Sequence, residues 1–196
     1  MELFEAIQTR RAVRKYRPDP VPEDEIKKIL DAANWAPSAM NRQQWEFIVV
    51  TGKETIRQMG VSFGAVIEEM TRNLPASSGH GSLSREEFIR FAKTYGGAPV
   101  VIVVLTDRAD TMDFRRANLE SASAAMENLL LAATALGLGT CWMTGPLRDE
   151  KALRKILEIP DDRELVAVTP LGYPAEVPPA PARVDPELRQ KVRWVG

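Results

Sequence analysis

APVVIVVLTD, residues 98–107, is apolar at every position from Val100 to Leu105 and does not alternate. A strand with one wet face alternates; a short run apolar at every position is predicted to be a central strand covered on both sides. The stretch that follows, at about 113–136, is the longest predicted helix. Its middle, ESASAAMENLLLAATAL, is small and apolar nearly all round. Such a helix is buried, either in its own core or against a second surface. Gly137 and Gly139 end it in the usual C-terminal manner.

Working outward, a short strand at 140–143, a turn at Thr144–Pro146 and a helix at 149–157 precede the strand ELVAVTPLGYP, residues 164–174. Upstream, WEFIVVT (45–51) reads as a strand bounded by Gly52, and residues 53–70 and 85–95 as helices. Between those two helices, TRNLPASSGHGSLS (71–84) is polar and reads as a lid or excursion. Ile26, Ile29, Leu30 and Ala33 fall at helical spacing in 23–35, with three acids in the first turn. Residues 2–16 read as a first helix, broken by PDPVP at 18–22. The tail from 175 is proline-rich and ends in an amphipathic segment, LRQKVRWV. Helices and strands alternate irregularly, which predicts an α+β sandwich and not a doubly wound parallel sheet. The length of 196 residues suits one domain spanning 1–196.

Lys and Arg number 26 against 27 Asp and Glu, a formal charge of -1. That balance gives no global attraction to nucleic acid or to an anionic membrane, so any anion site is local. Cys141 is the one cysteine, so no intramolecular disulfide forms, in keeping with a reducing cytoplasm. His80 is the one histidine, which removes His-based triads within one chain and most zinc sites. No apolar stretch reaches the roughly 18–20 residues of a membrane span, and the N-terminus lacks a secretory pattern.

The local excess is QTRRAVRKYRP, residues 8–18, with Arg10, Arg11, Arg14, Lys15 and Arg17. On the expected helix, Arg10, Arg14 and Arg17 share a face near its C-terminus, where cations gain about 0.3–1 kcal/mol from the dipole. That face is either a solvated charged surface or a seat for an anion, guanidinium being the preferred fork for phosphate. Two charge-assisted bonds supply about 3–6 kcal/mol, whereas micromolar affinity needs about 8. A phosphate ligand would thus need a second part bound elsewhere. The loop WAPSAMNRQQW (35–45) offers Ser38, Asn41 and Gln43 beside tryptophans, which suits a flat heterocycle or an ordinary capped turn. Neither GxGxxG after a strand nor GxxxxGK[ST] is present.

Three segments together resemble the FMN-dependent nitroreductase family. RRAVRKYRPDPVP is similar to its R-R-S-x-R-x-[FY] signature, and APSAMNRQQWEFIVV to its A-P-S-x-x-N-x-Q-P-W motif. ALGLGTCWMTG followed by VTPLGYP is similar to its C-terminal half. The resemblance implies a nitroreductase-like α+β sandwich, a central mixed β-sheet flanked by helices, in an interlocked homodimer with FMN at the subunit interface. It implies that Arg10, Arg11, Ala12 and Arg14 meet the FMN phosphate and ribityl end, joined by Arg183. Pro37, Ser38, Ala39 and Asn41 from the partner subunit would line the flavin, with Gln43 near its edge. Met143, Thr144 and Gly145 would lie along the ring, with Leu171 and Gly172 as neighbours. Ala12 stands where the family has Ser, removing one hydroxyl contact. Gln44 replaces the usual Pro and is expected to loosen the loop.

The activity implied is that of an NAD(P)H oxidoreductase reducing nitroaromatics, quinones or related electrophiles by ping-pong hydride transfer through flavin N5. No side chain is assigned as catalytic, and no metal is expected. Phe63, Phe88, Phe91, Tyr95 and Trp142 are pocket aromatics or plain core residues. The alternatives on the same scaffold are a reductive dehalogenase, an enone reductase or a flavin-fragmenting oxygenase. Outside catalysis they are FMN storage or delivery, or binding of a nucleic acid or an acidic protein.

Overall fold

The computed structural model describes residues 1–75 and 83–196. Residues 76–82 of the expected lid at 71–84, His80 among them, therefore lie outside the described residues. Four strands form one sheet in the order β1-β2-β4-β3, with β1 at Trp45–Val50, β2 at Val100–Asp107, β3 at Gly139–Thr140 and β4 at Arg163–Gly172. β2 pairs antiparallel with β1 and with β4, so its apolar run sits in the middle, as its lack of alternation predicts. β3 joins the far side of β4, also antiparallel. The parallel component of the sheet is one bridge, between Ala12 and Thr140.

Successive β2 side chains point to opposite layers. Val100, Ile102 and Val104 pack with α2 (Glu23–Asn34) and α5 (Met112–Ala135), through Ile26, Ile29, Met126 and Leu129. Val101, Val103 and Leu105 pack on the other side with α3 (Lys53–Thr71), α4 (Arg85–Thr94) and α6 (Glu150–Leu157), through Met59, Phe63, Phe91 and Leu153. Helices thus cover both faces of an antiparallel sheet, which makes the fold an α+β sandwich. α5 is buried along the side that carries Asn118, Ser121, Ala125 and Leu129, which accounts for its small, apolar composition.

The first helix is shorter than its periodicity suggests. α1 spans Leu3–Thr9, and Arg10 already has extended ψ. From there the chain runs beside the sheet: Val13 N–H donates to Thr140 O (2.8 Å), Tyr16 N–H to Gly96 O (3.0 Å) and Arg17 N–H to Tyr173 O (2.9 Å). The shared helical face of Arg10, Arg14 and Arg17 therefore does not exist. Sheet pairing by a segment containing Val13 and Tyr16, both good strand formers and both buried, overrides a helical pattern in which like charges four apart repel. The amphipathic tail LRQKVRWV likewise forms no helix; it is exposed, with Trp194 at 92%.

Gly96 holds the basic segment close. Its φ is +68°, and a Cβ there would stand 2.3 Å from the Arg14 carbonyl oxygen. Gly96→Ala combines left-handed strain with a clash against backbone, and is expected to destabilise the protein by about 1–3 kcal/mol. A lowered midpoint in urea unfolding, at unchanged m, checks this; an unchanged midpoint contradicts it.

Candidate functional site

Arg14, Met143, Thr144 and Gly145 line one cavity of about 260 Å³. Three structural decisions bring them together. The basic segment is drawn to β3 by the Val13–Thr140 bond. Met143 N–H and C=O both bond to Val168 of β4 (2.9 Å each), which fixes the backbone just beyond β3. A 3-10 turn, Gly145–Asp149, then leads into α6. Asp149 locks that turn: Ser62 Oγ of α3 donates to its Oδ2 (2.7 Å), and its Oδ1 accepts the Ala152 N–H (3.3 Å). Gly145 presents no side chain to the cavity wall, and a Cβ there would lie 2.8 Å from Phe63 Cε2.

The wall is apolar and aromatic. Phe63, Phe88, Phe91 and Trp142 line it, as four of the five proposed pocket aromatics. Tyr95 does not: it is fully buried behind, 5.8 Å from the Phe63 ring centroid, with an unpartnered hydroxyl. Arg14 is half-buried and donates to the Ala12 carbonyl (3.3 Å). Arg11 donates to the carbonyls of Gln8 and Arg10 (2.7 Å each). Among the described residues no carboxylate pairs with either, whereas Arg10 meets Glu127 of α5 at 3.7 Å. Arg14 thus brings an unneutralised guanidinium to the aromatic cavity, and Arg11, which does not line it, also lacks a carboxylate partner.

The other expected residues lie apart. Asn41 and Gln43 line a separate groove with Asn34, Trp35 and Ala36. Ser38 Oγ accepts the Gln43 N–H (3.0 Å), and Ala39 N–H donates to Ser121 Oγ of α5 (3.1 Å). Met40, Asn41 and Gln43 all have positive φ, so the loop that Pro37 enters holds three non-glycine residues in a costly conformation. Gln44 does not loosen it. Its side chain is buried and donates to Asn118 Oδ1 (2.8 Å), while Asn118 donates to the Asp107 carbonyl (2.9 Å). A buried amide pair replaces the stiffness expected of proline. Arg183 is exposed in the tail, without a described contact to the cavity. Leu171 and Gly172 lie on β4, opposite Thr140 and Gly139.

Sequence reasoning missed Arg148, Ile67, Met70 and Cys141, which also line the cavity. Arg148 stands three residues beyond Gly145, one 3-10 turn, and that spacing was the available signal. Cys141 is buried, and desolvation raises its thiol pKa, with Arg14 and Arg10 pulling weakly the other way. Among the described residues no group of three or more His, Cys, Asp or Glu side chains could hold a metal ion, and no helix is long and apolar enough to cross a membrane.

The fold is an α+β sandwich with a cationic, aromatic-walled hollow and, apart from it, a strained polar loop. Residues 7–173 match the nitroreductase family, and the chain belongs to it. It is 36% identical over 197 residues to a protein of Methanothermobacter thermautotrophicus provisionally named NADH dehydrogenase/NAD(P)H nitroreductase, covering 99% of this chain and 88% of that one. It is 31% identical over 185 residues to 5,6-dimethylbenzimidazole synthase of Rhodospirillum rubrum, covering 89% and 82%. Among solved structures, iodotyrosine deiodinase bound to FMN and 3-iodo-L-tyrosine superposes with a TM-score of 0.80 at 25% identity, covering each chain in full.

The raised thiol pKa has a consequence for reactivity. A thiol titrating higher in the folded state stays neutral at pH 7.5, and only the thiolate attacks. Iodoacetamide is expected to modify Cys141 at least about tenfold more slowly in the native protein than in denaturant, the gap narrowing as pH rises. Equal rates, read by intact mass, would show the thiol to be open.

Proposed function

We propose that the protein is an FMN-dependent oxidoreductase that takes electrons from NADH or NADPH and passes them to a small electrophilic acceptor, and that it works as a homodimer. The observation that carries this is an Arg14 without a carboxylate partner in an aromatic cavity walled by Met143, Thr144 and Gly145. The donor set fits FMN. Guanidinium forks suit its phosphate, and a glycine wall with aromatic neighbours suits a planar ring. When bound, FMN supplies the two-electron carrier between nicotinamide and acceptor.

The chain's own groups bind, orient and exclude water. Arg11 and Arg14, with Arg10 as it exchanges Glu127 for the ligand, hold the phosphate. Ala12 contributes backbone only. Thr144 and Gly145 present backbone to the ring, the first amides of the 3-10 turn having no intrahelical acceptor, while Met143, its N–H and C=O both bonded to Val168, anchors them to the sheet. Phe63, Phe91 and Trp142 keep the cavity dry, which strengthens every charge interaction within it. At about 260 Å³ the cavity is smaller than the roughly 300–1,000 Å³ usual for a ligand site. Pro37, Ser38, Ala39, Asn41 and Gln43 of a second copy complete it in this reading, because within one protomer none of them lines this cavity and Asn41 and Gln43 line a different groove. Arg183 would close the phosphate end if the tail folds back.

Other reactions on this scaffold are open to the same site, since the relatives include a benzimidazole synthase and a deiodinase. Purified protein is expected to be yellow, dimeric, and bleached anaerobically by a nicotinamide donor. Arg14→Gln is expected to weaken FMN by about 10- to 100-fold, the worth of one charge-assisted bond. Riboflavin, lacking the phosphate, should bind the variant and the parent alike. Protein that gains no flavin absorbance when FMN is added, or an Arg14→Gln variant that weakens both ligands equally, would refute the assignment.

A further inference from the structure

Arg148 is the one charged residue of the cavity that the flavin reading leaves without a task. It is exposed, lines the cavity, and lies at the end opposite in sequence from Arg14. The carboxylates that follow it in the chain are committed elsewhere. Asp149 is held by Ser62 and by the Ala152 amide. Glu150 Oε1 takes Arg154 Nε and Nη2 at 2.7 Å, with Arg108 at 3.8 Å. Among the described residues Arg148 has no carboxylate partner, and the cavity lining contains no acidic side chain at all. A fixed positive charge over an aromatic wall, with the nearby negative charges tied down, attracts an aromatic ligand that is itself an anion.

We infer that the acceptor is an aromatic molecule bearing a carboxylate or a comparable anionic group, and that Arg148 selects it. This rests on the flavin reading above. In it Arg14 is occupied by the cofactor phosphate, and Arg148 remains for the acceptor. The Ser62–Asp149 bond is then a positioning contact, because it holds the turn that carries Arg148 against α3. Nicotinamide donors also bear anionic groups, so the donor is the other molecule Arg148 could read, and the test separates the two.

The probes are 4-nitrobenzoate and 4-nitrobenzamide, which differ in charge and little in size. With the donor saturating, the holoprotein is expected to prefer the acid by about tenfold or more in kcat/KM. Arg148→Gln is expected to lower that acid-to-amide ratio by about 10- to 100-fold, and Arg148→Lys to fall between, since an ammonium keeps the charge and loses the fork. A ratio unchanged in Arg148→Gln overturns the inference, and does so decisively if the donor KM rises instead. Calorimetric titration with benzoate and benzamide, neither reducible, reads the same selectivity without turnover. If the protein reduces neither nitro compound nor a quinone, the proposed activity fails. The titration then still judges Arg148: a benzoate preference lost in Arg148→Gln upholds its role, and equal affinities reject it.

Discussion

The hydrogen bond from Val13 N–H to the Thr140 carbonyl is the contact on which the site depends. It converts a run of cations from a helix surface into an added edge of the sheet. On a helix those guanidinium groups would point outward along a solvated stripe. Against β3, Arg14 enters a cavity lined by Cys141–Gly145 and walled by α3 and α4. Tyr16 and Gly96 finish the job. The tyrosine is buried with its hydroxyl bonded to the Val13 carbonyl (2.7 Å), and the glycine leaves room for the Arg14 backbone.

The parts of this architecture that were legible in the sequence are those governed by one dominant periodicity. The unbroken apolar run of β2 announced a strand covered on both faces, and the small, apolar α5 announced a buried helix. The basic segment defeated the same method because its local pattern and its tertiary partner disagree. Val13 and Tyr16 gain more from burial and sheet pairing than the segment gains from helical charge spacing. The loop at 36–44 was legible by its motif and not by its mechanics. Nothing in the letters Gln-Gln shows that the second amide reaches Asn118 on a helix more than seventy positions later.

α5 holds the loop and the basic segment on distinct faces: Ser121 receives the Ala39 amide, while Glu127 meets Arg10. Six residues apart on an α-helix, the two side chains diverge by about 120°. The loop that carries Ser38–Gln43 and the segment that carries the arginines are therefore held on different sides of one rigid rod. This is the physical reason the two sequence motifs line separate hollows of one protomer. It also gives the proposed homodimer a purpose beyond stability, since a second copy can bring its loop to the first copy's arginines where a single chain cannot.

The charge distribution explains why such a site can coexist with a nearly neutral protein. Many of the cations elsewhere are matched to carboxylates, several within the same helix, as Lys27 is to Glu23, Arg57 to Glu54 and Arg116 to Glu120. Pairs of this exposed kind add little stability, but they cancel the far field. Against that quiet background Arg11, Arg14 and Arg148 keep their charge, and the aromatic wall limits how far water can screen it. The cost of holding like charges near one another is tolerable in the free protein because each is partly hydrated. In the proposed reading that cost becomes a gain once an anion displaces the water. The ligand proposed for the hollow meets both conditions, with negative charge for the guanidinium groups and a flat body for the aromatic wall.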